Sequence, residues 1–283
     1  MKNIFVSTTF APDNSRISDV LLTCKRENIF NVELGSNHIY EKNFSKIIQK
    51  YKFNFLVHNY FPIPKKNFVV NIASQNKKIR NLSVKHAKNA INFCKKTKSK
   101  LYTIHPGFLS DPVKANYKKK NYDFIWTNPK LKANYELAFN TMIFSLKELV
   151  SFARDKKVKL AIETEGSYRK KNLLLMQKPE EYQKLFNFFS PRDLGINLNI
   201  GHLNLASNAF NFSKEKFVNI VKKYIVALEL SDNNGYEDQH LPLKKGKWYW
   251  EIINDPFFSK TYKVLEFRNT NIKEVNRVVD LLS

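Results

Sequence analysis

The chain has 283 residues, of which 43% are hydrophobic and 14% aromatic, so it is long enough to fold around a full core. No stretch is apolar for long enough to span a bilayer, and the apolar run at the N-terminus is too short for a signal peptide, so we expect a cytoplasmic protein. The net charge of +23 favours anionic partners such as nucleic acid or phosphorylated metabolites, although a general bias toward lysine explains it equally well.

Two cysteines, Cys24 and Cys94, form no CxxC pair and fall within apolar helical patterns. We therefore expect both thiols to be reduced and buried.

Apolar runs of four to six residues predict eight strands, and a helical pattern follows each run. The predicted strands are Ile4–Thr8, Asn31–Leu34, Asn54–Val57, Leu101–Ile104, Val158–Ile162, Leu194–Leu198, the run that begins at Val226, and Val264–Phe267. The predicted helices include 77–97, 131–154, one that starts at Pro179, Trp248–Phe258, and one that Asn271 and Glu274 begin as a capping box. Eight such units point to one closed (β/α)8 TIM barrel over residues 1–283 rather than an open sheet.

Residues 109–127 are polar and rich in lysine and tyrosine, and they are too many for an ordinary connection between a strand and a helix. We therefore predict that this segment is a lid.

Histidines and acidic residues gather where the predicted strands end. His58, His105, His202 and His240 lie at or just after strand ends, as do Glu33, Glu163, Glu229, Asp238 and Glu266. His86 falls inside a helix, where we expect a surface position, and the role of His38 stays open. Because like charges that converge on one mouth of a barrel repel each other, a bound metal ion is the simplest explanation for this pattern.

These residues resemble the xylose isomerase-like TIM barrels, which include sugar isomerases, epimerases and the DNA-repair enzyme endonuclease IV. The resemblance covers nearly the whole chain. It is carried by His58, His105-Pro106-Gly107, Glu163, Asn199-Ile200-Gly201-His202, Glu229-Leu230-Ser231-Asp232-Asn233, Asp238-Gln239-His240 and Leu265-Glu266.

The isomerase and epimerase branch implies one divalent metal ion. Its ligand positions correspond to Glu163, Asn199, Glu229 and Glu266. An amide replaces the usual carboxylate at Asn199, and a carboxylate replaces the usual imidazole at Glu229, so the total charge is kept. An all-oxygen set of this kind favours Mn²⁺ or Mg²⁺ over Zn²⁺.

The endonuclease branch implies three zinc ions. The positions for the first ion are intact (His58, His105 and Glu163), as are those for the third (His202, Asp238 and His240). Both departures fall on the second ion, whose ligands would be Glu163, Asn199, Glu229 and Glu266.

The resemblance favours a metal-dependent isomerase or epimerase that acts on a sugar or sugar phosphate through an enediolate. Glu163 and Glu266 would transfer the proton, and His202 would bind a substrate oxygen. His58, His105, Trp126 and Arg268 are the further predicted substrate-binding residues. An endonuclease IV-like phosphodiesterase acting on DNA is the alternative, as is a barrel that only binds a ligand, and assembly into a homo-oligomer stays open.

Overall fold

The computed structural model describes residues 3–49, 51–116, 123–126, 133–166 and 173–282. The apolar runs form eight parallel strands, and a two-stranded hairpin stands apart from them. The strands in chain order are β1 (Ile4–Ser7), β2 (Asn31–Leu34), β3 (Asn54–His58), β4 (Leu101–Ile104), β5 (Pro112–Asn116), β6 (Asp123–Trp126), β7 (Lys159–Glu163), β8 (Leu194–Asn199), β9 (Ile225–Leu230) and β10 (Tyr262–Leu265).

Eight of these strands close into a barrel in the order β1-β10-β9-β8-β7-β4-β3-β2. Strand β1 pairs in parallel with both β2 and β10, which completes the ring. The predicted (β/α)8 barrel is therefore confirmed. The last barrel strand begins and ends two residues earlier than predicted, so Glu266 lies one residue beyond its end.

Helices cover the outside of the barrel. They are α1 (Ile17–Arg26), α2 (Phe44–Ile48), α3 (Lys77–Thr97), α4 (Tyr135–Asp155), α5 (Pro179–Leu185), α6 (Ile200–Phe210), α7 (Lys214–Val221), α8 (Tyr249–Ile253) and α9 (Ile272–Leu282). Among the described residues, none of these helices is long and apolar enough to cross a membrane. Cys24 and Cys94 are both buried, and neither forms a disulfide.

Two helix ends show why the sequence prediction was close but incomplete. The predicted helix Trp248–Phe258 is split into α8 and a 3-10 turn at Pro256–Phe258, because proline has no N–H for the helical ladder. Asn271 begins α9 as predicted, since its Oδ1 accepts a hydrogen bond from the Glu274 N–H at 3.0 Å. The second hydrogen bond of a capping box would run from the Asn271 N–H to the Glu274 carboxylate. That carboxylate accepts a bond from Nε of Arg277 instead.

The strands fill the barrel interior in layers because their side chains alternate between the two faces. An apolar layer is formed by Phe5, Leu56, Leu101, Ala161, Ala227 and Val264. The residues two positions further along the same strands are Ser7, His58, Thr103, Glu163, Glu229 and Glu266, and all of these are buried. A layer of mostly polar side chains therefore lies directly above the apolar layer.

The predicted lid segment contains the hairpin of β5 and β6, which pair antiparallel. Residues 117–122 of this segment, which include the lysine run, and residue 127 lie outside the described residues. The described part places Phe124 against Phe108, with ring centroids 4.9 Å apart, and Trp126 against Phe108 at 5.6 Å.

The prediction that His86 lies at the surface is wrong. Its side chain is buried and packs against Tyr60 and Phe68, with ring centroids 5.4 and 5.7 Å away. Helix α3 turns this face toward the loop after β3, and periodicity alone does not reveal that a loop covers a helix.

Candidate metal centre

The first group of metal-binding side chains consists of His58, His105 and Glu163, whose ligand atoms lie within 4.8 Å of one another. Nε2 of His58 is 3.4 Å from Oε2 of Glu163, and Nε2 of His105 is 3.5 Å from the same oxygen. That oxygen is buried and has no hydrogen-bond partner. Two imidazoles and an unpaired carboxylate oxygen therefore face one point, and these residues fit a divalent cation.

The second group consists of His202, Asp238 and His240. Nε2 of His240 is 3.0 Å from Oδ2 of Asp238, and Nε2 of His202 is 3.6 Å from it. The other oxygen of Asp238 is buried without a hydrogen-bond partner. The same donor chemistry, two imidazoles and one carboxylate, is thus repeated beside the first group, with the ring centroids of His105 and His202 6.4 Å apart.

Each of these histidines except His58 has its Nδ1 held by a nearby acceptor. Nδ1 of His105 is 2.6 Å from Oε1 of Glu165, and Nδ1 of His202 is 2.8 Å from the backbone oxygen of Thr164. Nδ1 of His240 is 3.3 Å from the backbone oxygen of Glu266. Acceptors of this kind fix the tautomer and leave Nε2 free to bind a metal ion.

Glu165 is a site residue that the sequence prediction missed. It is buried, it lines the cavity described below, and it contacts His105. The spacing Glu163-Thr164-Glu165 was the available signal, because residues two apart in an extended segment point to the same side.

Asn199 and Glu229, the two residues that depart from the family pattern, form hydrogen bonds with different residues. Nδ2 of Asn199 donates to Oε1 of Glu163 at 2.9 Å, and its Oδ1 accepts a bond from the N–H of His202 at 3.0 Å, so it caps helix α6. Oε2 of Glu229 accepts a bond from Nδ2 of Asn197 at 2.6 Å. Among the described residues, Glu163, Glu229 and Glu266 do not form a group of converging metal ligands.

Depth explains this separation. The carboxylate of Glu229 is 0% exposed and contacts Asn197 and Nδ1 of His58. It is fully buried and does not line the cavity, whereas Glu163 and Glu266 do. The expectation that these three acids face one cavity therefore holds for two of them.

Ion pairing outweighs burial for His105 and His240 when no metal is bound. Burial opposes the charging of His105, but Glu163 and Glu165 outweigh it and raise the pKa of His105 to about 9. Burial also opposes the charging of His240, and Asp238 outweighs it, so the pKa of His240 rises to about 9. A metal ion would have to displace these protons.

The deeper acids behave in the opposite way. Burial, followed by repulsion from neighbouring carboxylates, raises the pKa of Glu33 and of Glu229 well above the ordinary range.

A tight loop after β9 carries Asp238 and His240. The backbone of Asp232 exchanges two hydrogen bonds with that of Leu241, at 2.8 and 2.9 Å, which closes the loop on itself. Gly235 has a φ of +79°, and a Cβ there would lie 2.2 Å from Nδ2 of Asn208, so only glycine fits. His240 also has a positive φ, +47°, a conformation that the closed loop holds in place.

Both groups open into a cavity of about 790 Å³ at the carboxyl-terminal mouth of the barrel. The cavity is also lined by Arg268, Lys114 and Trp126, and the predicted substrate-binding residues therefore all border the same space. His38 borders it too, with Nε2 2.8 Å from Oγ1 of Thr8 and Nδ1 3.2 Å from the Ser15 backbone oxygen. Both ring nitrogens of His38 are thus engaged within the protein.

Sequence relatives are found in Methanocaldococcus jannaschii. The uncharacterized proteins MJ1311 and MJ1614 are each 26% identical to this chain. The matches cover 88% of this chain and 76% of the first relative, and 98% of this chain and 96% of the second.

Solved structures with the same fold include an epimerase-like protein and an AP endonuclease. A D-tagatose 3-epimerase-like protein superposes with a TM-score of 0.71 at 19% identity, covering 99% of this chain and 98% of that one. The TTHB071 protein from Thermus thermophilus, soaked with ZnCl₂, superposes with a TM-score of 0.63 at 16% identity. The match covers 99% of this chain and 97% of that one. An AP endonuclease of family 2 from Brucella melitensis superposes with a TM-score of 0.66 at 7% identity. The match covers 95% of this chain and 93% of that one.

The sequence profile of the Xylose isomerase-like TIM barrel family matches residues 24–277, which is most of the chain. The chain therefore belongs to the xylose isomerase-like TIM barrel family.

Proposed function

We propose that this chain is a metal-dependent phosphoester hydrolase that holds one zinc ion in each of the two donor groups. The observation that carries the proposal is that two groups of two imidazoles and one carboxylate open into one cavity. The single-ion arrangement of an isomerase lacks this support, because the amide of Asn199 is engaged on both sides and Glu229 lies below the cavity.

The donor chemistry selects the ion. Two nitrogen atoms and one carboxylate oxygen make a three-residue set that leaves a position open for water or substrate, as catalytic zinc sites do. Zinc would supply positive charge that polarises a phosphoryl oxygen and lowers the pKa of a water molecule. A structural neighbour from Thermus thermophilus was itself soaked with ZnCl₂, which makes zinc the first ion to test.

The protein side chains then have separate tasks. Glu163 connects the groups, since Oε2 faces His58 and His105 while Oε1 lies 3.1 Å from Nδ1 of His202. Glu165 orients His105 through its 2.6 Å contact. The positive side chains of Lys114 and Arg268 border the cavity and would bind the phosphate of the substrate.

Metal content and hydrolysis test the proposal together. The metal-free chain is reloaded with zinc, and bound metal is counted by mass spectrometry. Cleavage of a DNA duplex with an abasic-site analogue and of bis(p-nitrophenyl) phosphate is then measured. We expect two zinc ions per chain and hydrolysis of at least one substrate. His240→Ala should lose one ion and most activity, whereas Glu251→Gln, which changes an exposed acid, should lose neither.

A sugar isomerase or epimerase is the second candidate, favoured by one observation. Glu163, Glu266 and His202 border the same cavity, as the transfer of a proton to and from a sugar carbon requires. This function predicts about one Mn²⁺ per chain and incorporation of deuterium beside the carbonyl of a ketose in D₂O, followed by NMR. Absence of bound metal under saturating Mn²⁺, with no turnover of either substrate class, would instead favour a barrel that only binds a ligand.

A further inference from the structure

A third group of donor atoms lies behind His58, away from the cavity. It consists of Glu33 on β2, His58 on β3 and Glu229 on β9, whose ligand atoms lie within 4.8 Å of one another. Nδ1 of His58 is 3.4 Å from Oε1 of Glu229 and 3.9 Å from Oε2 of Glu33. His58 therefore presents Nε2 to the first group and Nδ1 to this inner group.

The inner group contains polar atoms that the protein leaves unpaired. Oε1 of Glu33, Nδ1 of His58 and Oε1 of Glu229 are all buried and have no hydrogen-bond partner. The exposed fractions of the three residues are only 2%, 4% and 0%. Buried polar atoms are normally paired, and two ionised carboxylates so close together are costly unless they take up a proton or a cation lies between them.

The protein itself offers little positive charge at this depth. Among the described residues, no lysine or arginine forms an ion pair with Glu33 or Glu229. The group bonded to Glu229 is the neutral amide of Asn197. A neutral imidazole, by contrast, has a lone pair that binds a metal ion.

We propose that Glu33, Glu229 and Nδ1 of His58 form an inner site for a hard divalent cation such as Mn²⁺. Two carboxylates and one imidazole provide mostly oxygen ligands, which suit Mn²⁺ better than sets with more nitrogen do. The replacement of a ligand imidazole by Glu229 thus moves a cation inward to a site that also uses Glu33. Binding of Mn²⁺ at this site does not require the proposed hydrolase activity.

The inner site and the first group share His58. A neutral imidazole has one lone pair, so it binds a cation through either Nδ1 or Nε2. Zinc in the first group and Mn²⁺ in the inner site should therefore exclude each other.

The experiment isolates the inner site in a chain that carries His105→Ala and Asp238→Ala, because each change removes a ligand from one of the other groups. Free Mn²⁺ is counted by electron paramagnetic resonance, and circular dichroism verifies the fold. We expect one Mn²⁺ per chain. Adding Glu33→Gln should weaken binding at least 10-fold, whereas adding Glu251→Gln should leave it unchanged. Equal affinities for these two variants, or no Mn²⁺ bound by the folded background, would overturn the proposal.

A second measurement uses the unaltered chain and does not depend on how the variants fold. Crystals of metal-free protein are soaked in MnCl₂, and anomalous difference density is recorded. A peak between Glu33 and Glu229 supports the inner site, and a peak only on the Nε2 side of His58 overturns it. Zinc content and hydrolysis are measured separately, so failure of the inner site and failure of the proposed function give different results.

Discussion

Oε1 of Glu165 lies 2.6 Å from Nδ1 of His105, and this contact decides which nitrogen of His105 faces Glu163. Glu165→Ala should therefore lower zinc affinity at the first group by about 10- to 100-fold, as the loss of a carboxylate behind a ligand histidine typically does. Calorimetric titration of the metal-free chain with zinc measures the effect. Glu180→Gln, which alters an exposed acid on α5, is the control. Unchanged affinity in Glu165→Ala would show that the ring of His105 is held by other contacts.

Substitution of His86 and of His202 should separate stability from metal binding. His86 packs against two aromatic rings and belongs to none of the donor groups, so His86→Ala should lower the free energy of unfolding by about 1–3 kcal/mol and leave zinc content unchanged. His202→Ala removes a ligand and should lose one zinc ion and most activity. Urea unfolding and metal analysis of both variants provide the comparison. Equal losses of zinc would contradict the assignment.

The paired departures at Asn199 and Glu229 allow a double-mutant cycle. Asn199→Asp would place a second carboxylate 2.9 Å from Glu163, and Glu229→His would remove a buried acid, so either change alone should disturb metal affinity. Together they would recreate the ligand set that the isomerase resemblance implies, and if that set binds one cation, the coupling between the two changes should be about 0.5–3 kcal/mol. Mn²⁺ titration calorimetry on all four proteins measures this coupling. Strictly additive effects would mean that the two positions share no cation.

As the pH rises, the stability of the metal-free chain should fall, whereas the additional stabilisation by zinc should increase. The pKa of His105 and of His240 rises from 6.5 to about 9 in the folded, metal-free chain. Their contribution to stability is thus fully present below pH 6.5 and is lost as the pH rises to about 9. Zinc requires neutral rings, so the stabilisation by zinc should increase over the same range. Melting temperatures at pH 6, 7.5 and 9 test both signs, and a metal-free chain that becomes more stable across this range would contradict the first.

The positions of the ligand histidines could be predicted because they depend on strand ends. The apolar runs before His58 and His105 mark where β3 and β4 stop, and parallel strands in a barrel end at one mouth. The depth of Glu229 could not be predicted in this way. It depends on contacts with Asn197 and His58, which are distant in the chain, and no local pattern encodes those contacts.

The burial of His86 was also beyond the sequence pattern. The helix that carries it was predicted to the residue, but the loop that covers it has no periodicity of its own. Glu165 was missed for a related reason, because its importance comes from a contact with His105, a residue 60 positions away.

The apolar layer beneath the polar residues also has a kinetic consequence. Phe5, Leu56 and Val264 are at most 4% exposed, so ions have no open route through the amino-terminal end of the barrel. Exchange of ions with solvent should then pass through the cavity that the substrate also occupies. A ligand seated in the mouth would trap the cations beneath it, and stripping by a chelator should slow in proportion to the occupancy of the cavity.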